Sequence, residues 1–136
     1  MGELALILLD THVLLWVAAE PARLSRRAAA TIRRGLRSEG IAIASISLWE
    51  IAMMFSEGRL RSRGTIENSI EALVHGTGVM LREITPSVAA LATQFPPDFP
   101  ADPADRLIAA TARDGGLTLV TKDERIRSSL LVRTVW

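Results

Sequence analysis

The chain has no cysteine and only two histidines in 136 residues. Disulfides and thiolate zinc sites are thereby excluded, and a cytoplasmic location becomes the expectation. His12 and His75 lie too far apart to suggest a metal pair, and core or edge packing is the expected role of His12. Long hydrophobic runs are equally scarce. The longest, Leu4 to Ala19, is broken by Asp10 and His12, so it is too short and too polar to span a bilayer. The first residues lack the basic start of a signal peptide. Nor does one sign of charge dominate. A formal net charge of +1 gives no global pull on nucleic acid, so any such affinity must come from local arginines. No repeat, low-complexity tract or obvious linker divides the chain. Its length and 49% apolar content suit one compact domain over residues 1–136.

What is present alternates. Leu4–Leu9 is a continuous apolar run of the kind expected for a strand buried on both faces. Thr11 to Ala19 reads as a helix, and a second begins after Ser25 and ends near Gly40. Ile41–Ser45 is a second buried strand, followed by a helix from Leu48 to about Glu57 that Ser47 opens and Gly58 stops. Thr65 caps a helix to about His75, Val79–Ile84 is a strand, and Thr85-Pro86 starts another helix. Phe95–Ala101, with three prolines, must be loop. Asp102-Pro103 starts a helix closed by Gly115-Gly116. Leu117–Thr121 is a strand, Asp123 to Ser129 a short helix and Leu131–Val135 a last strand. This order predicts an α/β fold, a three-layer sandwich around a mainly parallel sheet of about five strands.

Four acids, Asp10, Glu50, Asp105 and Asp123, each sit at the edge of an apolar segment. In such a sheet ligands bind beyond the carboxyl ends of the strands, where strand order reverses. If the first and fourth strands are neighbours there, the four side chains converge. Carboxylates in contact repel by ~4 kcal/mol per pair at 4 Å and an effective dielectric near 20, so the cluster calls for a cation. An all-oxygen donor set suits a hard divalent ion, which usually serves phosphate chemistry. Each acid also has an ordinary role. Ser47-x-x-Glu50 fits a capping box, Asp102-Pro103-Ala104-Asp105 an N-cap followed by an acid at N3, and Asp10 and Asp123 caps of the helices after them.

The segments LLDTHVLLW (Leu8–Trp16), SISLWEIAM (Ser45–Met53), DPADRLIAATA (Asp102–Ala112) and LTLVTKD (Leu117–Asp123) resemble PIN-domain ribonucleases. Within that family the likeness is greatest to the VapC-type toxins of VapBC toxin–antitoxin pairs. The resemblance spans essentially the whole chain, with the motifs in family order. It implies an endoribonuclease needing Mg²⁺ or Mn²⁺, with Asp10, Glu50, Asp105 and Asp123 as catalytic and metal-holding acids. It also implies an RNA substrate, a VapB-type antitoxin docking near the site, and a homodimer. Asp102 belongs to the DPxDR pattern and is expected to help. A related subgroup carries a histidine just before that motif, where this chain has Phe99-Pro100-Ala101.

Thr11, Ser47 and Thr121 put hydroxyls beside the acids, either to hold them or the phosphate or simply to cap helices. Arg106 is open to contact with RNA or pairing with a nearby acid. Trp16 and Trp49 fall on apolar stripes and are expected in the core. Met53, Met54 and Phe55 exceed what one buried face requires, which leaves part of that helix for a partner. Two arginine groups, Arg23 to Arg37 and Arg59 to Arg63, form either solvated surfaces or a track for phosphate or an acidic segment. Competing readings are a catalytically inactive RNA- or partner-binding module of the same fold and a receiver-like phosphoacceptor. The second lacks the paired acids after the first strand that its chemistry needs.

Overall fold

The computed structural model describes residues 5–136. Along them run β1 (Leu6–Leu9), α1 (Thr11–Ala19), a 3-10 turn (Pro21–Arg23), α2 (Arg26–Leu36), β2 (Gly40–Ala44) and α3 (Ile46–Ser56). Then follow α4 (Ile66–Thr77), β3 (Met80–Arg82), α5 (Pro86–Ala92), α6 (Pro103–Gly115), β4 (Thr118–Val120), α7 (Glu124–Arg127) and β5 (Thr134–Val135). The five strands form one sheet in the order β3-β2-β1-β4-β5, and all four pairings are parallel.

Strand alternation sorts the core into two layers. Leu8, Ala42, Ala44 and Leu119 face Val88 and Ala92 of α5 and Ile108, Ala109 and Ala112 of α6. The intervening residues Ile7, Leu9, Ile41, Ile43 and Val120 face Val13 and Leu14 of α1, Ala28 and Ile32 of α2, and Ile51 of α3. Covered on both faces, the central strands can be uniformly apolar, as their sequence is. Each fully buried Leu or Ile contributes roughly 1.5–3 kcal/mol. Gly35 marks where α2 crosses the sheet most closely: a Cβ there would stand 2.7 Å from Ile7 Cγ1 and 3.1 Å from the Gly40 carbonyl.

Element order follows the sequence expectation, while several boundaries are tighter. Leu4 lies outside the described residues. β3 spans three residues rather than Val79–Ile84 because it is an edge strand, paired only with β2 and exposed along its length. β5 shrinks to Thr134–Val135 because the chain before it turns, with the Arg113 guanidinium donating to the Leu131 carbonyl at 2.8 Å. α3 begins at Ile46, two residues early, so Ser47 lies inside the helix instead of opening it.

The topology fixes where a ligand belongs. From β1 the chain moves outward through β2 and β3, then returns to place β4 and β5 on the other side of β1. Strand order therefore reverses between β1 and β4, and the crevice at their carboxyl ends is the site such sheets offer.

Candidate active site

Asp10 leaves β1 at that crevice and caps α1, its Oδ1 accepting the Thr11 N–H at 2.8 Å. The Thr121 hydroxyl, just past β4, donates to Asp10 Oδ2 at 2.7 Å. The same hydroxyl accepts the Asp123 N–H at 3.1 Å. Asp123 in turn caps α7, accepting from the N–H groups of Arg125 and Ile126. From α3, Glu50 Oε1 accepts the Thr11 hydroxyl at 2.6 Å, and that hydroxyl also bonds Ser47 Oγ at 2.7 Å. Thr11, Ser47 and Thr121 are all fully or nearly fully buried. Three hydroxyls thus tie the acids of β1, α3 and the β4 end to one another. Asp105, in the first turn of α6, completes the ring. Asp10, Glu50, Asp102, Asp105 and Asp123 line one pocket of about 260 Å³, together with Thr11, His12, Trp16 and Lys122.

The electrostatics match that crowding. Burial is the largest influence on Asp105, and the charges of Asp102, Asp10, Asp123 and Glu50 add to it, pushing its carboxyl up to about 7. Asp10 is raised chiefly by burial, against the opposing bonds from Thr121 and Thr11. Glu50 is raised by burial and by Asp10 and Asp102, with the Thr11 bond opposing. Asp123 goes the other way. Its partial burial is outweighed by Arg125, whose side chain and backbone both donate to it, and its carboxyl falls below the usual range. The Arg125 guanidinium stands 3.2 Å from Asp123 and 3.9 Å from Asp105.

The donor set, carboxylate oxygens without sulfur, fits a hard divalent cation by type. Among the described residues no three acidic or histidine side chains are already closed into a metal-holding cluster. Uncompensated carboxylates repel, and one of the four, Asp123, is engaged by Arg125.

Several sequence expectations need correction. Ser47 is no cap: its hydroxyl points inward to Thr11, and Ser45 at the N-cap makes no side-chain bond. The Ser47-x-x-Glu50 spacing therefore serves the acid cluster and not a capping box. Asp102 occupies the N-cap of α6 but its side chain caps nothing; it is exposed at the pocket rim. Arg106 neither faces the pocket nor pairs with an acid. It donates to the carbonyls of Phe95, Pro96, Phe99 and Pro100 and so pins the proline-rich loop. Trp49 is 58% exposed and Met53 38%, so neither belongs to the core, whereas Met54 is buried. Trp16 is only half-buried, and His12 is exposed and lines the pocket instead of packing in a core. Arg125 carries no motif of its own, and its place in the first turn after Asp123 is the one signal in the sequence for this pairing.

Residues 7–128 match the PIN domain. The chain is 42% identical over 132 residues to Ribonuclease VapC22 of Mycobacterium tuberculosis, covering 96% of this chain and 98% of that protein. Its fold resembles VapBC2 from Rickettsia felis bound to a DNA fragment from their promoter, with a TM-score of 0.70 and 14% identity, covering 96% of this chain and 97% of that one. It likewise resembles DNA-bound VapBC from Salmonella typhimurium, with a TM-score of 0.69, 20% identity and 98% of each chain covered. Motif order, a parallel sheet that switches direction between β1 and β4, and this match over nine-tenths of the chain agree: the chain belongs to the PIN-domain family, among its VapC-type proteins.

Proposed function

We propose that the chain is a metal-dependent endoribonuclease, the toxin component of a toxin–antitoxin pair, with Asp10, Glu50, Asp105 and Asp123 as its catalytic acids. The observation that carries the reading is the convergence of carboxylates from four separate chain segments into one pocket, with Asp105 pushed up to about 7 by burial and by its neighbours. A site that strains so many like charges is poised for a cation. Resemblance to a ribonuclease over nearly the full chain supports RNA as substrate.

Asp10, Glu50, Asp105 and Asp123 would hold Mg²⁺ or Mn²⁺, which supplies a Lewis acid for the phosphate and acidifies a water for attack on the phosphodiester. The residues of the chain do the placing. Thr121 and Thr11 fix the oxygens of Asp10 and Glu50 before a ligand arrives, which reduces the ordering that binding must impose. Ser47 holds Thr11 in turn. The low-dielectric wall behind Asp10 strengthens every attraction toward the pocket. Asp102, exposed at the rim, adds negative charge without a backbone duty of its own.

The same reading takes residues 1–136 as one domain working in the cytoplasm, with a VapB-type antitoxin and a second copy of the chain as partners. Among the described residues no helix is long and apolar enough to cross a membrane. The exposed Trp49 and Met53 of α3 give apolar surface that supports a protein partner. The alternative of an inactive binding module is disfavoured because all four acids are in place.

Purified protein incubated with RNA and Mn²⁺ or Mg²⁺ tests the proposal. Cleavage should occur with metal, stop in EDTA, and vanish in Asp10→Asn and Asp105→Asn. RNA that is bound but left intact by the unmutated protein would return the chain to the binding-module reading.

A further inference from the structure

Beside the acid pocket lies a second cavity, a cleft of about 780 Å³ between α1, the end of α3 and α4. The two share His12 and Trp16 in their linings. Trp16 is the hub of this junction. The Arg23 guanidinium carbon stands 4.8 Å from the Trp16 ring centroid and Lys122 Nζ 5.9 Å from it, both within cation–π range. The rings of His12 and Trp136 lie 6.2 and 5.7 Å from the same indole. Lys122, the single lysine of the chain, lines the acid pocket, while Arg23 lines the cleft. One indole therefore carries a cation directed to each cavity.

We propose that Lys122 and Arg23, held against Trp16, form a backbone-phosphate subsite that seats the stretch of single-stranded RNA next to the scissile bond. This rests on the ribonuclease reading of the acid pocket. A polyanion approaching five carboxylates is repelled, and a cation at the reacting phosphate neutralises only that position. The neighbouring phosphates need positive charge within reach, and Lys122 in the acid pocket and Arg23 in the adjoining cleft supply it. Positive side chains that track the backbone beside an exposed aromatic ring are a recurrent way of binding single strands without reading their sequence. Arg23 also pairs with Glu20 at 3.4 Å, but both side chains are more than half exposed, so the pair yields readily to a phosphate. Lys122, between Thr121 and Asp123 in sequence, carries its ammonium on a flexible stem and meets a phosphate as a point charge.

The test compares the full-length protein with Lys122→Gln, Arg23→Gln, the double variant and Lys122→Arg. A single-stranded RNA of mixed sequence serves as probe, in Mn²⁺, across a salt series. Each single variant should raise KM several-fold with kcat within about twofold. The double variant should flatten the log–log salt dependence of RNA binding, read by anisotropy, by about 1.4, two phosphate contacts at ~0.7 each. Lys122→Arg should restore most of the KM. An unchanged KM and salt slope in the double variant would overturn the subsite and assign both cations to packing on Trp16. Loss of affinity for an acidic peptide with RNA binding intact would overturn it too, making the junction a protein-docking surface. If the unmutated protein binds RNA with this salt dependence yet cleaves none, the subsite stands and the nuclease reading falls.

Discussion

Asp105→Asn isolates the electrostatic cost of the pocket. In the unfolded chain this carboxyl titrates near 3.8 and in the fold at about 7, raised by burial first and by four neighbouring acids next. Between those values the folded chain binds more protons than the unfolded one, so stability falls as pH rises and the whole penalty is present above pH 7. Taken at face value the gap corresponds to ~4 kcal/mol. The pocket is open to solvent and Arg125 lies 3.9 Å away, so screening reduces this to roughly 1–2 kcal/mol. Asparagine keeps the shape and removes the charge. In EDTA the variant should melt about 4–8 °C above the unmutated protein at pH 8, with the gain shrinking toward zero near pH 4. Saturating Mn²⁺ should raise the melting temperature of the unmutated protein and move the variant far less. The assay is thermal denaturation followed by circular dichroism at several pH values, with and without metal. A variant equal to or less stable than the unmutated protein at pH 8, or a difference that ignores pH, would refute the claim that Asp105 stands in a repulsive field.

Three further outcomes follow from the same geometry. Protons and metal compete for Asp105, so Mn²⁺ affinity by calorimetry should be about tenfold weaker at pH 6 than at pH 8; equal affinities would remove Asp105 from the binding set. Thr121→Val keeps volume but leaves the Asp123 N–H and one oxygen of Asp10 without their partner, costing about 1–3 kcal/mol in a denaturant melt; an unchanged midpoint would show water replacing the hydroxyl. Arg106→Ala breaks four bonds to loop carbonyls and should cost roughly 2–3 kcal/mol while leaving the salt dependence of RNA binding unchanged; a flatter salt slope would put this arginine on the nucleic acid after all.

The sequence was legible where one physical rule acted alone. Apolar runs between helical stretches specified a sheet covered on both faces, and Asp10 directly after β1 had one place to go. It misled where a side chain satisfied two rules at once. Ser47-x-x-Glu50 has capping-box spacing, and only the position of Thr11 across the crevice turns both residues toward the acids. Arg106 follows a pocket acid in sequence, yet a helix turns successive residues about 100° apart, which carries it from the pocket to the loop carbonyls. Trp49 sits one position before Glu50 and is turned outward by the same geometry, to 58% exposure.

That rotation also explains why the pocket is lined so economically. α3 sends Glu50 to the acids, Ser47 to their support and Trp49 to the surface from four consecutive residues. α6 does the same with Asp105 at the pocket and Arg106 on the loop. The acids on helices can be neutralised without disturbing the backbone bonds that hold those helices. Asp10 and Asp123 differ, because each also caps the helix that follows it. Charge removal should therefore separate the four: a net gain in metal-free stability at Glu50 and Asp105, a gain offset by a lost cap at Asp10, and a net loss at Asp123, whose charge Arg125 stabilises; at both caps Asn preserves more than Ala.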